Sequence, residues 1–239
     1  MTIKKDIFMV LDTETCDLTG SVYDVGYTIA DRKGNIATTR NWLVKEIFTD
    51  AKKMMGAFYA KKMFSHYAPM LNDGAVKLAP WSDIVQTMRD DCAALGVTSI
   101  AAYNAAFDFR VMAATHKMLG HTDRILPKGL KKLCIWQFAC ETKLSQKSYV
   151  KMALANGWVS PKGNIKTGAE FAYRYTVRRP EFVEDHTALS DAIIETTILA
   201  ACFQQKRKTP WGRIGGSPWR IVQPKPVEND AHIHGGVTA

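Results

Sequence analysis

Apolar and polar positions along the chain fall into short, sharply bounded blocks. Ile7–Asp12 is a continuous aliphatic and aromatic run closed by an acid, the pattern of a strand buried on both faces of a sheet. Tyr23, Val25, Tyr27 and Ile29 then alternate with Asp24, Gly26, Thr28 and Ala30. After a turn at Asp31–Asn35 the alternation resumes over Ile36–Val44, which predicts a hairpin following a central first strand. Residues 46–66, rich in Ala, Lys and Met, read as a helix. Pro80 and Ser82 open another, with Val85, Met88, Cys92 and Leu95 on its apolar face and Gly96 at its end. Val97–Asn104 reads as a fourth strand, with a helix from near Phe107 to Leu119, and Leu133–Trp136 as a fifth strand. Further helices are expected over Gln146–Asn156, closed by Gly157, over about Thr167–Val177, and after His186 to about Gln205.

Strands first, one more between helices, then helices: this order predicts an α/β or α+β domain over residues 1–206. Beyond Lys206 no apolar period survives. Pro210, Pro218, Pro224 and Pro226, with five glycines, predict an irregular or partly disordered tail over 207–239.

With 46% hydrophobic and 23% charged residues, the 239-residue chain holds enough apolar surface to fold. Its longest aliphatic and aromatic run, Ile7–Leu11, is far short of the roughly 20 residues of a membrane span. Asp12 ends that run too early for a signal peptide. The expected setting is therefore intracellular: cytoplasmic, or the host cytoplasm for a virus-encoded protein. Five cysteines, without a CxxC pair, fit reduced thiols better than disulfides or structural zinc.

Charge sharpens the picture. Residues 1–120 carry 14 Lys/Arg against 13 Asp/Glu, whereas residues 121–239 carry 18 against 10. Lys143, Lys147, Lys151, Lys162, Lys166, Arg174, Arg178 and Arg179 face a single acid, Glu170, within their span. The first three recur every four residues, one face of a helix. Such one-sided basicity favours a polyanionic partner, nucleic acid foremost.

Three segments bear candidate chemistry. Asp12 and Glu14, two apart at the end of the first strand, point to one side. Two such acids at the end of a core strand are costly without a compensating cation, and oxygen ligands of this kind suit Mg²⁺ or Mn²⁺. Asp108 follows a later strand in Asn104-Ala105-Ala106-Phe107-Asp108. His186 and Asp191 stand at the head of the last helix. Five helical residues turn about 140°, so the spacing places His186 on the preceding loop, bending back towards Asp191. Taken singly, each segment has an ordinary explanation as solvated acids or as a helix-dipole partner.

Together, Asp-x-Glu, Asn-x-x-x-Asp and His-x-x-x-x-Asp, in this order and on these elements, closely resemble the DEDDh exonucleases, the DnaQ-like branch of the RNase H-like fold. The resemblance runs from about Ile7 to Phe203. Cys16-Asp17 departs from the usual Thr-Gly, and Tyr103 from the usual His before Asn104; neither change touches a carboxylate or His186. The resemblance implies a five-stranded mixed sheet flanked by helices and a 3′→5′ exonuclease releasing nucleoside 5′-monophosphates. It further implies two Mg²⁺ or Mn²⁺ held by Asp12, Glu14, Asp108 and Asp191, and His186 as general base. Thr13, Thr15, Asn104 and Phe107 would contact the terminal nucleotide. The favoured substrate is single-stranded DNA with a free 3′ end. An exoribonuclease is the nearest alternative, and a non-catalytic nucleic-acid- or polymerase-binding module the next. The tail, with Trp211 and Trp219, is a candidate docking element for a replication protein.

Overall fold

A computed structural model describes residues 6–57, 61–205 and 207–223. Strands β1 (Ile7–Thr15), β2 (Val22–Asp31), β3 (Ile36–Val44), β4 (Lys77–Ala79), β5 (Ser99–Ala102) and β6 (Lys131–Cys134) form one mixed sheet in the order β4-β3-β2-β1-β5-β6. β1–β2 and β2–β3 are antiparallel; β1–β5, β5–β6 and β3–β4 are parallel. The expected five strands thus become six. The addition, β4, is a three-residue edge strand with no buried residue, so it imposes no hydrophobic alternation on its sequence.

The helix expected over 46–66 is instead a series of short pieces: α1 (Lys45–Phe48), α2 (Ala51–Met55), a π-helical turn (Met63–Tyr67) and α3 (Ala68–Asn72). Residues 58–60 lie outside the described residues. Asp50 starts α2 by accepting from the Lys53 amide, Gly56 ends it, and Pro69 fits the first turn of α3. The remaining helices are α4 (Trp81–Ala94), α5 (Ala105–Met118), α6 (Ile135–Glu141), α7 (Lys147–Ala155), α8 (Ala169–Val177) and α9 (Ala188–Phe203).

β1 is central and buried on both faces. Met9 and Leu11 enter a core with Tyr27, Trp81 and Met88; Phe8 and Val10 enter another with Phe138, Tyr149, Tyr175 and Ile198. Asp12 and Glu14 continue the Phe8–Val10 side, and their partners across the ladder are Gly26 and Asp24 of β2. Along that side runs α9. The Ala188 amide donates to Asp24 Oδ2 at 3.0 Å, and Thr28 and Thr196 hydroxyls meet at 2.6 Å. Between them, a Cβ on Gly26 would lie 2.1 Å from the Leu189 nitrogen. Glycine there lets the first turn of α9 sit directly on the sheet beside Asp12.

Residues 207–223 pack on the domain. Trp211 stacks on Phe8 with centroids 6.0 Å apart, Val222 is buried, and Pro218–Ile221 forms a 3₁₀ turn. Trp211 and Trp219 are half-buried rather than exposed; residues 224–239 of the expected tail lie outside the described residues. Among the described residues no helix is long and apolar enough to cross a membrane.

Candidate active site

The C-terminal ends of β1 and β5, the first turn of α5 and the start of α9 enclose an open cleft of about 710 Å³. All nine residues singled out in the sequence line it: Asp12, Thr13, Glu14, Thr15, Asn104, Phe107, Asp108, His186 and Asp191. β1 delivers Asp12 and Glu14 by its period of two. Asp108, 3% exposed, projects from the first turn of α5 and accepts a hydrogen bond from Thr13 Oγ1 at 2.9 Å. Asn104 is exposed at the head of α5, and Phe107 is half-buried with the Arg110 guanidinium 5.3 Å from its ring centre.

His186 stands two residues before α9 in a left-handed backbone conformation (φ 56°), uncommon for a residue other than glycine. This places Nδ1 4.0 Å from Asp191 Oδ2 and 3.7 Å from Glu184 Oε2. Asp185 steadies the loop by accepting from both the amide and the hydroxyl of Thr187, each at 3.0 Å.

Several participants carry no motif. Glu195 lies one turn beyond Asp191 and accepts from the Tyr103 amide at 3.0 Å, which ties α9 to the end of β5. Its spacing of four from Asp191 is the signal that could have found it. Glu184 and Leu18 also line the cleft, and Leu18 is 77% exposed. Lys62 places Nζ 4.0 Å from Glu14 Oε1 and donates to the His186 carbonyl; nothing local in its sequence announces this.

So many acids in one recess resist ionisation. Burial pushes Glu14 up to about 8, against the attraction of Lys62, and Glu184 up to about 8, with Asp191 adding to the shift. Burial likewise takes Asp108 and Asp191 to about 7. Asp12 is raised well above the carboxylate range by burial and then by Glu195, Asp108, Asp191 and Glu14. His186 moves the other way, lowered by burial and by Lys62, so the neutral imidazole is favoured despite the surrounding acids.

The donor set fits a divalent cation. Glu14, His186 and Asp191 each offer a ligand atom within 4.8 Å of the others. Asp191 Oδ1 and Glu184 Oε1 are buried without a hydrogen-bond partner among the described residues, a costly state that a cation would relieve.

The basic segment is less uniform than its spacing suggests. Lys147 and Lys151 are exposed on α7, but Lys143 precedes that helix and lies over the Tyr175 ring. Arg174 pairs with Glu170 and bonds the Phe182 carbonyl, so it serves packing.

No protein-family model matches the sequence, and no curated protein matches it by sequence. Solved structures do share its fold. Cell-death related nuclease 4 (CRN-4) aligns with a TM-score of 0.56 at 14% identity, over 84% of this chain and 65% of that one. A full-length 3′-exonuclease aligns at 0.56 and 10% identity, over 90% and 66%. The chain thus spans just under two thirds of each. Exonuclease X, solved with 5′ overhanging duplex DNA, aligns at 0.47 and 20% identity, over 83% and 92%. The six-stranded mixed sheet with its flanking helices is the RNase H-like fold, shared with CRN-4 and the full-length 3′-exonuclease.

Proposed function

We propose that the chain is a divalent-metal-dependent 3′→5′ exonuclease that trims single-stranded DNA to nucleoside 5′-monophosphates. One observation carries this reading: acids from three distant segments, Asp12 and Glu14, Asp108, and Asp191, converge in one cleft with His186 4.0 Å from Asp191. The fold shared with a 3′-exonuclease supports it.

Asp12, Glu14, Asp108 and Asp191 would hold the cations, whose bound state supplies charge stabilisation of the scissile phosphate and acidification of water. His186, shifted towards the neutral form by burial and Lys62 and 40% exposed in its side chain, accepts a proton on its imidazole as general base. Leu18 and Phe107 flank the cleft as apolar surfaces for the terminal base, and Thr15 and Asn104 supply polar contacts beside them. Lys147, Lys151, Lys162 and Lys166, all exposed, attract the phosphate backbone at longer range.

The test uses matched 5′-labelled single-stranded DNA and RNA, with Mg²⁺ or Mn²⁺ or with EDTA, beside Asp191→Asn. A ladder shortening from the 3′ end, lost in EDTA and in the variant, supports the assignment, and the faster ladder names the polymer. Intact binding with no ladder on either polymer defeats it in favour of a non-catalytic nucleic-acid-binding module.

A further inference from the structure

His186 sits in a conformation that its own backbone disfavours. A non-glycine residue at φ 56° costs about 1 kcal/mol relative to ordinary backbone and persists only when its surroundings hold it. Those surroundings come largely from one stretch between β3 and β4. Lys62, 9% exposed, donates from Nζ to the His186 carbonyl while lying 4.0 Å from Glu14 Oε1. Five residues on, the Tyr67 hydroxyl donates to Asp24 Oδ2 at 2.8 Å, the same oxygen that receives the Ala188 amide. The two residues flanking Thr187 are thus both secured from the 61–67 stretch, one directly and one through Asp24.

We propose that Lys62 is a positioning residue: by gripping the His186 carbonyl it holds the left-handed loop that presents the imidazole beside Asp191. This rests on the function proposed above. The ammonium meets the histidine at its backbone carbonyl, so it acts on where the ring stands. Glu14 of β1, 4.0 Å away, also attracts the ammonium and helps to fix it in place. Tyr67 and Asp24 do the corresponding work at the start of α9, so loss of Lys62 alone should loosen the histidine without unseating Asp191.

The test compares Lys62→Met, Lys62→Gln, His186→Ala and the double variant Lys62→Met/His186→Ala on a single-stranded oligonucleotide at saturating Mg²⁺ or Mn²⁺. Oligonucleotide affinity is measured in parallel by fluorescence anisotropy in EDTA. Lys62→Met is expected to lower kcat by about 10- to 100-fold, the cost of a misplaced catalytic group, with KM and metal-free affinity within about twofold. Lys62→Gln, which keeps a donor for the carbonyl, should lose several-fold less. In the His186→Ala background Lys62→Met should cost almost nothing more, because it acts through that side chain. Three outcomes overturn the inference: unchanged kcat in Lys62→Met, losses that multiply in the double variant, or a fall in affinity that matches the fall in kcat. Wild-type protein that trims neither polymer overturns the proposed function, and this inference with it, and is told apart by that alone.

Discussion

Two clefts of nearly equal size border α5, and only one of them buries like charges together. The first, about 710 Å³, gathers Asp12, Glu14, Asp108, Glu184, Asp191 and Glu195. The second, about 700 Å³, is lined by Phe109, Met112, His116, His121 and the 122–130 loop. In the second, the buried His116 is paired, its Nε2 with Asp123 at 3.2 Å and its Nδ1 with the Trp81 indole at 2.9 Å, Asp123 also meets Arg89, and the basic residues Lys117, Arg124, Lys128 and Lys132 are exposed to solvent. Arg89 beside Asp123 accordingly holds that exposed carboxyl below its usual range. In the first, burial and mutual repulsion drive the carboxyls upward and two oxygens have no partner among the described residues. Cleft volume therefore does not distinguish the two; buried like charge held in place by the fold does.

Single substitutions can break that contrast. Asp12→Asn removes an acid from the first cleft with little change in volume and should lower exonuclease kcat by at least about 10³-fold, as expected when preorganised transition-state stabilisation is lost. Asp123→Asn removes an acid from the second and should leave kcat within about twofold while lowering Tm by a degree or two, the scale of an exposed ion pair. Steady-state hydrolysis and thermal unfolding of both variants check this. Equal effects on kcat would mean that both clefts serve the reaction.

The acid-rich cleft was legible in sequence only through its three motifs together, which the resemblance to the DEDDh exonucleases joined; local geometry supplied the arrangement within each segment. Residues two apart on a strand must share a side, which set Asp12 beside Glu14. Five residues at a helix start cannot share a face, which placed His186 on the loop. The buried run of β1 likewise announced a central strand. What escaped depends on distance or on averaging. Lys62 meets His186 across 124 positions, and no pattern near either residue encodes that contact. Over 46–66, an Ala-, Lys- and Met-rich composition outweighed Asp50 and Gly56, the individual residues that start and stop α2. β4 buries no residue, so it left no periodic trace. Glu195 was readable from its spacing to Asp191 but was absorbed into the apolar helix around it.

The contrast also has a pH signature. Glu14 and Glu184 rise to about 8, and Asp108 and Asp191 to about 7, all chiefly through burial. Each binds its proton more tightly in the folded than in the unfolded chain, whose carboxyls titrate near pH 4. The folded state therefore holds the extra protons, and the contribution of these four groups to metal-free stability is full below about pH 4 and declines as pH rises towards about 8. Loss of about 2–3 kcal/mol over this window, a fraction of the summed shifts, would lower Tm by roughly 5 °C or more for a chain of this length. Saturating Mg²⁺ should raise Tm more at pH 8 than at pH 6, since the cation binds ionised acids. Scanning calorimetry in EDTA and in Mg²⁺ across this range checks both slopes. A metal-free Tm that climbs between pH 5 and 8 would show that these acids are compensated as fully as Asp123.

Glu195 offers the finest test of the same idea. It lies among the acids of the first cleft, yet it differs from Asp12 in bonding: one oxygen accepts the Tyr103 amide at 3.0 Å. Burial, with Asp108 and Asp191 nearby, raises its carboxyl well above the usual range, which favours the protonated form in the metal-free cleft, and its bond to Tyr103 anchors α9 to β5. Glutamine is nearly isosteric with that form and keeps a carbonyl for the amide. Glu195→Gln should therefore hold Tm within about 1 °C and kcat within about threefold. Glu195→Ala strands the Tyr103 N–H, at a cost of about 1–3 kcal/mol, and should lower Tm by several degrees. A drop in kcat for Glu195→Gln on the scale of Asp12→Asn would reverse the assignment: Glu195 would then act as an ionised fifth carboxylate in the working enzyme, and the raised affinity for its proton would belong to the metal-free cleft alone.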